Sequence, residues 1–170
     1  DGHMLNRYFS NTQTPRAESY LEDITTAEES GREASEVYLN ISAACESGWD
    51  FSSRWFADPN DIVTIQTTNI IPVDLNALLY NLEETLAKAR RFNENIEGAE
   101  QMVKAASDRK DAIDTYLWDA SQNTYADYNL VSEMVSPTLS LAMVYPLYFK
   151  VASPQQAEAV SRTLKTQFLK

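Results

Sequence analysis

The leucines between residues 73 and 92 constrain the fold more tightly than any other feature of this chain. Leu75, Leu78, Leu79, Leu82 and Leu86, continued by Ala89, recur at spacings of three and four, the period of one face of an α-helix. Pro72 stands just ahead of them and Asp74 falls in the first turn, where a missing N–H is harmless and negative charge is favoured. The same period runs through Val37, Tyr38, Ile41, Ala44 and Cys45 between Glu33 and Glu46. It returns in Ile96, Ala99, Val103, Ala106, Ile113 and Leu117 between Asn95 and Trp118, where Glu97, Lys104, Asp108 and Asp111 make the opposite, solvated face. A last stripe, Ala157, Val160, Leu164 and Phe168, predicts a helix from Pro154 to Phe168, with Ser153 as its cap and Pro154 in its first turn. The segment Thr138–Phe149, TLSLAMVYPLYF, is apolar nearly all round and predicts a buried helix that Pro146 kinks or ends. The class is therefore all-α. The helices near 73–92 and 137–149 are expected to be the more buried, and those near 95–118 and 154–168 to lie outside. Two concentric layers fit that alternation, although spacing alone equally permits a solenoid or a bundle.

Composition narrows the chemistry. The chain has 170 residues and a net charge of −11, a balance that argues against nucleic acid, whose binding needs Lys and Arg to displace counterions. One histidine, His3, and one cysteine, Cys45, leave no basis for a zinc site or a histidine-based triad. Cys45 falls on the apolar face of its helix and has no basic neighbour in sequence, which predicts a buried structural thiol. No run of roughly 18 apolar residues exists to span a membrane. Carboxylate chemistry remains.

Two polar-aromatic clusters interrupt the helices. Ser47–Phe56 reads SGWDFSSRWF. Trp49 and Trp55 offer flat faces suited to the C–H faces of a sugar ring, and Gly48 lets backbone approach a ligand closely. Asp50, between Trp49 and Phe51, is placed for desolvation that would raise its pKa, as a general acid requires; an Asp capping a helix beside two core tryptophans explains the pattern equally well. Pro15–Tyr20 reads PRAESY, with Arg16 and Glu18 flanking Ala17 as a donor fork and an acceptor suited to sugar hydroxyls. A helix start with Arg16 in a surface ion pair is the plainer reading of those residues. Further on, Trp118–Asn129, WDASQNTYADYN, predicts a short turn or hairpin.

Taken together, LNRYF at Leu5–Phe9, TPRAESYLED at Thr14–Asp23, EVYLNISAACESGWDFSSRW at Glu36–Trp55 and IIPVDLNALLYNLE at Ile70–Glu83 resemble glycoside hydrolase family 37, the trehalases. The resemblance implies part of an (α/α)6 toroid, about half of the barrel, with residues 1–170 forming a single partial catalytic domain. It implies an inverting hydrolysis of α,α-trehalose to two glucose molecules, with trehalose as small-molecule partner, no cofactor or metal, and a monomeric full-length enzyme. Asp50 matches the family's general acid. Gly48 and Trp49 match positions against the substrate, and Arg16, Ala17 and Glu18 match its sugar-binding Arg-x-Glu. The family's Pro-Gly-Gly-Arg-Phe and Gln-Trp-Asp segments, and the Glu-bearing segment with the general base, are not found here. The chain is accordingly expected to be an internal segment, with about six of twelve barrel helices. The competing readings are a toroid glycosidase of other sugar specificity and a non-catalytic helical module.

Overall fold

The structure is a computed structural model and describes residues 3–169; Asp1, Gly2 and Lys170, the ends of the expected single segment, lie outside the described residues. The helices are α1 (Tyr20–Ser30), α2 (Ala34–Glu46), α3 (Val73–Phe92), α4 (Ile96–Tyr116), α5 (Tyr145–Tyr148) and α6 (Pro154–Gln167). Among the described residues, five strands of two residues each accompany them: β1 (Ile70–Ile71), β2 (Trp118–Asp119), β3 (Thr124–Tyr125), β4 (Tyr128–Asn129) and β5 (Met134–Val135). The fold is thus mostly helical. The described residues divide into two compact units, one holding Pro72–Tyr128 together with residues 3–6 and 139–169, the other holding Arg7–Ile71 and Asn129–Thr138.

In the first unit α3 packs lengthwise on α4. The turn between them is set locally. Glu94 adopts a left-handed φ of 60°, and the Asn95 side chain caps α4 by accepting the Gly98 N–H at 3.0 Å. At the other end of α4, β2 and β3 form the expected hairpin, antiparallel with Trp118 opposite Tyr125. Val73 N–H, an orphan donor of the first turn of α3, is taken by the buried Asp127 carboxylate at 3.0 Å. A polar cluster centres on Arg109, whose Nε and Nη2 reach Glu83 at 2.8–3.0 Å and whose Nη1 reaches Asn6 and Asn76 at 2.9 and 3.0 Å.

Two expectations about burial are corrected. Residues 138–149 do not form one buried helix. A 3-10 turn over Leu141–Val144, capped by the Ser140 hydroxyl, leads into the four-residue α5. Pro146 has no N–H to donate and so is confined to the first turn of a new helix. Ala142, Met143 and Pro146 are buried there, whereas Leu141 and Tyr148 are exposed. Nor is α3 the well-covered helix its stripe implies. Its buried residues are Val73, Asp74, Asn76, Ala77 and Ala87, while Leu78, Leu82 and Leu86 are 38–49% exposed. Small alanines let a neighbouring helix approach closely, and the leucine edge one step round is only partly covered.

The helix over 154–167 follows its sequence signals. Ser153 Oγ accepts the Gln156 N–H at 3.3 Å and Gln156 Oε1 accepts the Ser153 N–H at 2.8 Å, a complete capping box. Ser153→Ala removes one half of that exchange, and urea unfolding is expected to show a loss of about 1 kcal/mol.

The second unit has its own core. Val37, Ile41 and Ala44 of α2 meet Ala27 of α1 and the buried Trp55, Ile65 and Ile70, with Tyr8, Trp49 and Phe56 packed at the edge. Asn40 is 1% exposed and its Oδ1 accepts from the backbone N–H and the hydroxyl of Thr68. It is a buried structural amide.

Candidate active site

Both sequence clusters lie in the second unit, at neighbouring ends of short elements. The helix α2 ends at Glu46 because Gly48 takes a left-handed φ of 68°, with its N–H on the Cys45 carbonyl at 3.3 Å. A Cβ built on Gly48 would meet nothing within 4 Å. The glycine therefore serves the backbone turn, and the space beside it is open. The chain then folds a tight turn over Trp49–Ser52, closed by Ser52 N–H on the Trp49 carbonyl at 3.0 Å, and Asp50 stands at its corner.

The turn is held from beneath. Trp55, fully buried, donates its indole N–H to the Trp49 carbonyl at 2.8 Å. The Arg54 guanidinium lies 5.2 Å from the centre of the Trp49 ring and 4.5 Å from that of Trp55. Trp49 is half-buried as a result. Phe51, next to Asp50, has a φ of 58°, a conformation that a bulky side chain adopts at a cost of order 1 kcal/mol. The strain aims its ring toward Arg16, whose guanidinium carbon is 5.0 Å from the ring centroid.

Arg16 enters from the strand-like residues ahead of α1. Its Nε and Nη2 clasp Asp23 at 3.0 and 2.7 Å, its backbone N–H reaches the same carboxylate at 2.9 Å, and its Nη1 donates to Cys45 Sγ at 3.1 Å. The hydrogen bonds to Asp23 lead the effects that hold the guanidinium pKa above its ordinary value. Cys45 differs from the buried structural thiol expected. It is half-buried, and burial raises its pKa while the neighbouring Arg16 charge opposes the rise and Asp50 and Asp23 add to it. A basic neighbour distant in sequence is what spacing could not disclose.

The remaining residues are placed as follows. Glu18 and Ala17 form a short 3-10 turn with Ser19 ahead of α1, and both are exposed. Asp50 is exposed too, so the desolvated setting expected from its aromatic neighbours is not formed by the described residues. Arg16 contacts both Cys45 and Phe51, and the Asp50 charge is near enough to act on Cys45. Among the described residues no cluster of His, Cys, Asp and Glu is arranged to hold a metal ion, and no helix is long and apolar enough to cross a membrane.

The sequence profile of the trehalase family matches residues 1–169. The chain belongs to the trehalase family. Among curated trehalase relatives, the periplasmic trehalase of Citrobacter koseri is 46% identical over 170 residues, which are 99% of this chain and 30% of that protein. The periplasmic trehalase of Salmonella newport is 43% identical over the same shares. The chain thus spans about a third of the length of the trehalases it matches. Among solved structures, the neutral trehalase of Saccharomyces cerevisiae superimposes with a TM-score of 0.74 at 18% identity, over 96% of this chain and 34% of that one. A GH63 mannosylglycerate hydrolase from Thermus thermophilus, in complex with glucose, follows at 0.58 and 14%, over 90% and 36%. The mostly helical fold is that of a segment of an (α/α) toroid, the class these glycosidases share.

Proposed function

We infer that this chain is one segment of a single catalytic domain that hydrolyses α,α-trehalose to two glucose molecules with inversion. The observation that carries the reading is the junction of the two motifs in a trehalase-family chain: Arg16 stacked on Phe51 and bonded to Cys45, beside Asp50. Asp50, at a turn corner with open space next to Gly48, is the general acid that protonates the departing glycosidic oxygen. Arg16 and Glu18 bind sugar hydroxyls, Ala17 lies between them, and Trp49 and Gly48 form the surface against which the ring rests. An inverting reaction needs a base on the opposite side of the bond, roughly 6.5–9.5 Å from the acid, with a water between. That base is a glutamate outside these residues. Burial of Asp50, which a working acid requires, also comes from parts of the enzyme beyond them. No cofactor or metal takes part, and the full-length enzyme is monomeric. A toroid glycosidase acting on another sugar is the second reading, favoured by the likeness to a mannosylglycerate hydrolase; identity of 46% to a periplasmic trehalase weighs for trehalose.

The test is hydrolysis of α,α-trehalose followed by proton NMR of the anomers. The full-length enzyme is expected to release one α-glucose and one β-glucose per bond, because only the attacked carbon inverts. The 170-residue chain alone is expected to release none, since it lacks the base that activates water. Two α-glucoses would overturn inversion, no turnover of trehalose by the full-length enzyme would overturn the substrate, and release by the chain alone would place the base within it.

A further inference from the structure

The grip on Arg16 leaves little of it free. Of five guanidinium N–H groups, Asp23 takes one on Nε and one on Nη2, and Cys45 takes one on Nη1. One N–H on Nη1 and one on Nη2 have no acceptor among the described residues. Asp23 is 2% exposed and accepts in addition the Arg16 backbone N–H at 2.9 Å, so one buried carboxylate fixes both main chain and side chain of Arg16. Phe51 covers one face of the guanidinium plane. Rotation about the last side-chain bonds would break the paired, charge-assisted contact to the buried Asp23 carboxylate.

We propose that Asp23 is a positioning residue, which through Arg16 fixes the direction in which the two remaining guanidinium N–H groups meet a sugar hydroxyl. The sugar end of this statement rests on the function proposed above; the grip itself does not. Arginine suits such a task because its planar fork can be locked on one edge while the other is offered to a ligand. Cys45 completes the lock as a weak sulfur acceptor on Nη1. Asp23 itself is buried, and both of its carboxylate oxygens accept from Arg16.

Cys45, the sole cysteine of the sequence, reports on the grip. It faces three charges: Arg16, which favours its thiolate, and Asp50 and Asp23, which disfavour it. These predict opposite signs for Asp23→Asn. If Asp23 acts only as a nearby charge, removing it makes the thiol more reactive. If it holds Arg16 in place, the freed guanidinium leaves Cys45 and the thiol becomes less reactive. The expected result is alkylation by iodoacetamide at pH 8 slowed about fivefold, by loss of thiolate, in Asp23→Asn and in Arg16→Gln alike. In the Arg16→Gln background, Asp23→Asn should cause no further slowing. Faster or unchanged alkylation in a variant whose circular dichroism is native would overturn the proposal. Should Asp23→Asn fail to fold, the unaltered chain gives the answer by NMR. Arg16 Nε–H is expected to exchange with solvent at least roughly tenfold more slowly than that of Arg162, whose side chain is 67% exposed; equal rates would overturn the grip. A slowed thiol together with an Arg16→Gln full-length enzyme of undiminished kcat/KM would overturn the role toward sugar while leaving the grip intact.

Discussion

Asp50→Asn in the full-length enzyme is expected to lower kcat for trehalose by at least about 10²–10⁴-fold, the usual contribution of a general acid. The amide has the shape of the carboxyl and no proton of comparable acidity to give to the leaving oxygen. KM should change little, since Arg16, Glu18 and Trp49, the residues proposed to hold the sugar, remain. Stability should move by less than about 0.5 kcal/mol, because Asp50 is exposed at the corner of a turn whose closure is made by backbone atoms and by Trp55. Steady-state kinetics with a thermal melt separates these effects. Wild-type kcat in the variant would mean that another group supplies the proton.

The second large effect lies away from the site. Arg109 and Glu83 have side chains 10% and 14% exposed and share three hydrogen bonds at 2.8–3.0 Å. Coulomb attraction between such groups largely offsets the cost of removing both from water, so the intact pair adds little net stability. Breaking it is different. Glu83→Ala strands a guanidinium in a place where water scarcely reaches, and the free energy of urea unfolding is expected to fall by about 3–5 kcal/mol. Replacing both residues by methionine removes the stranded charge and should cost clearly less than Glu83→Ala alone. An equal loss in the two variants would show that packing, and not the uncompensated charge, dominates there.

These two sites differ in how far the sequence disclosed them. Asp50 stands in a motif whose neighbours are contiguous, so its candidacy could be read along the chain, as could the limits of α3 and the Ser153 cap of α6. Those signals are local, one turn of helix or one loop long. Arg109 gave no such signal, because its partners come from α3 and from Asn6, far away in sequence. Asp23 was hidden in the same way: it sits among the ordinary acidic residues of a first helical turn, and its burial and its bonds to Arg16 set it apart from Glu22. Periodicity also misjudged Thr138–Phe149. It counts apolar residues and cannot see that Ser140 and Pro146 each start a new helical turn. The desolvation expected of Asp50 was inferred from sequence neighbours, and neighbours along a chain need not be neighbours in a cavity.

The cluster that supports the Trp49–Ser52 turn and the Arg16 grip has a consequence for when the site is made. Its members run from Tyr8 to Ile70, and the helices α1 and α2 that frame it are consecutive. Contacts this near in sequence close small loops, which is fast and entropically cheap. During synthesis, Arg16 can therefore be seated against Asp23 and Phe51 before α3 has left the ribosome. The part of the site proposed to bind a sugar is in that case a co-translational product, seated before the α3–α4 pair has been made.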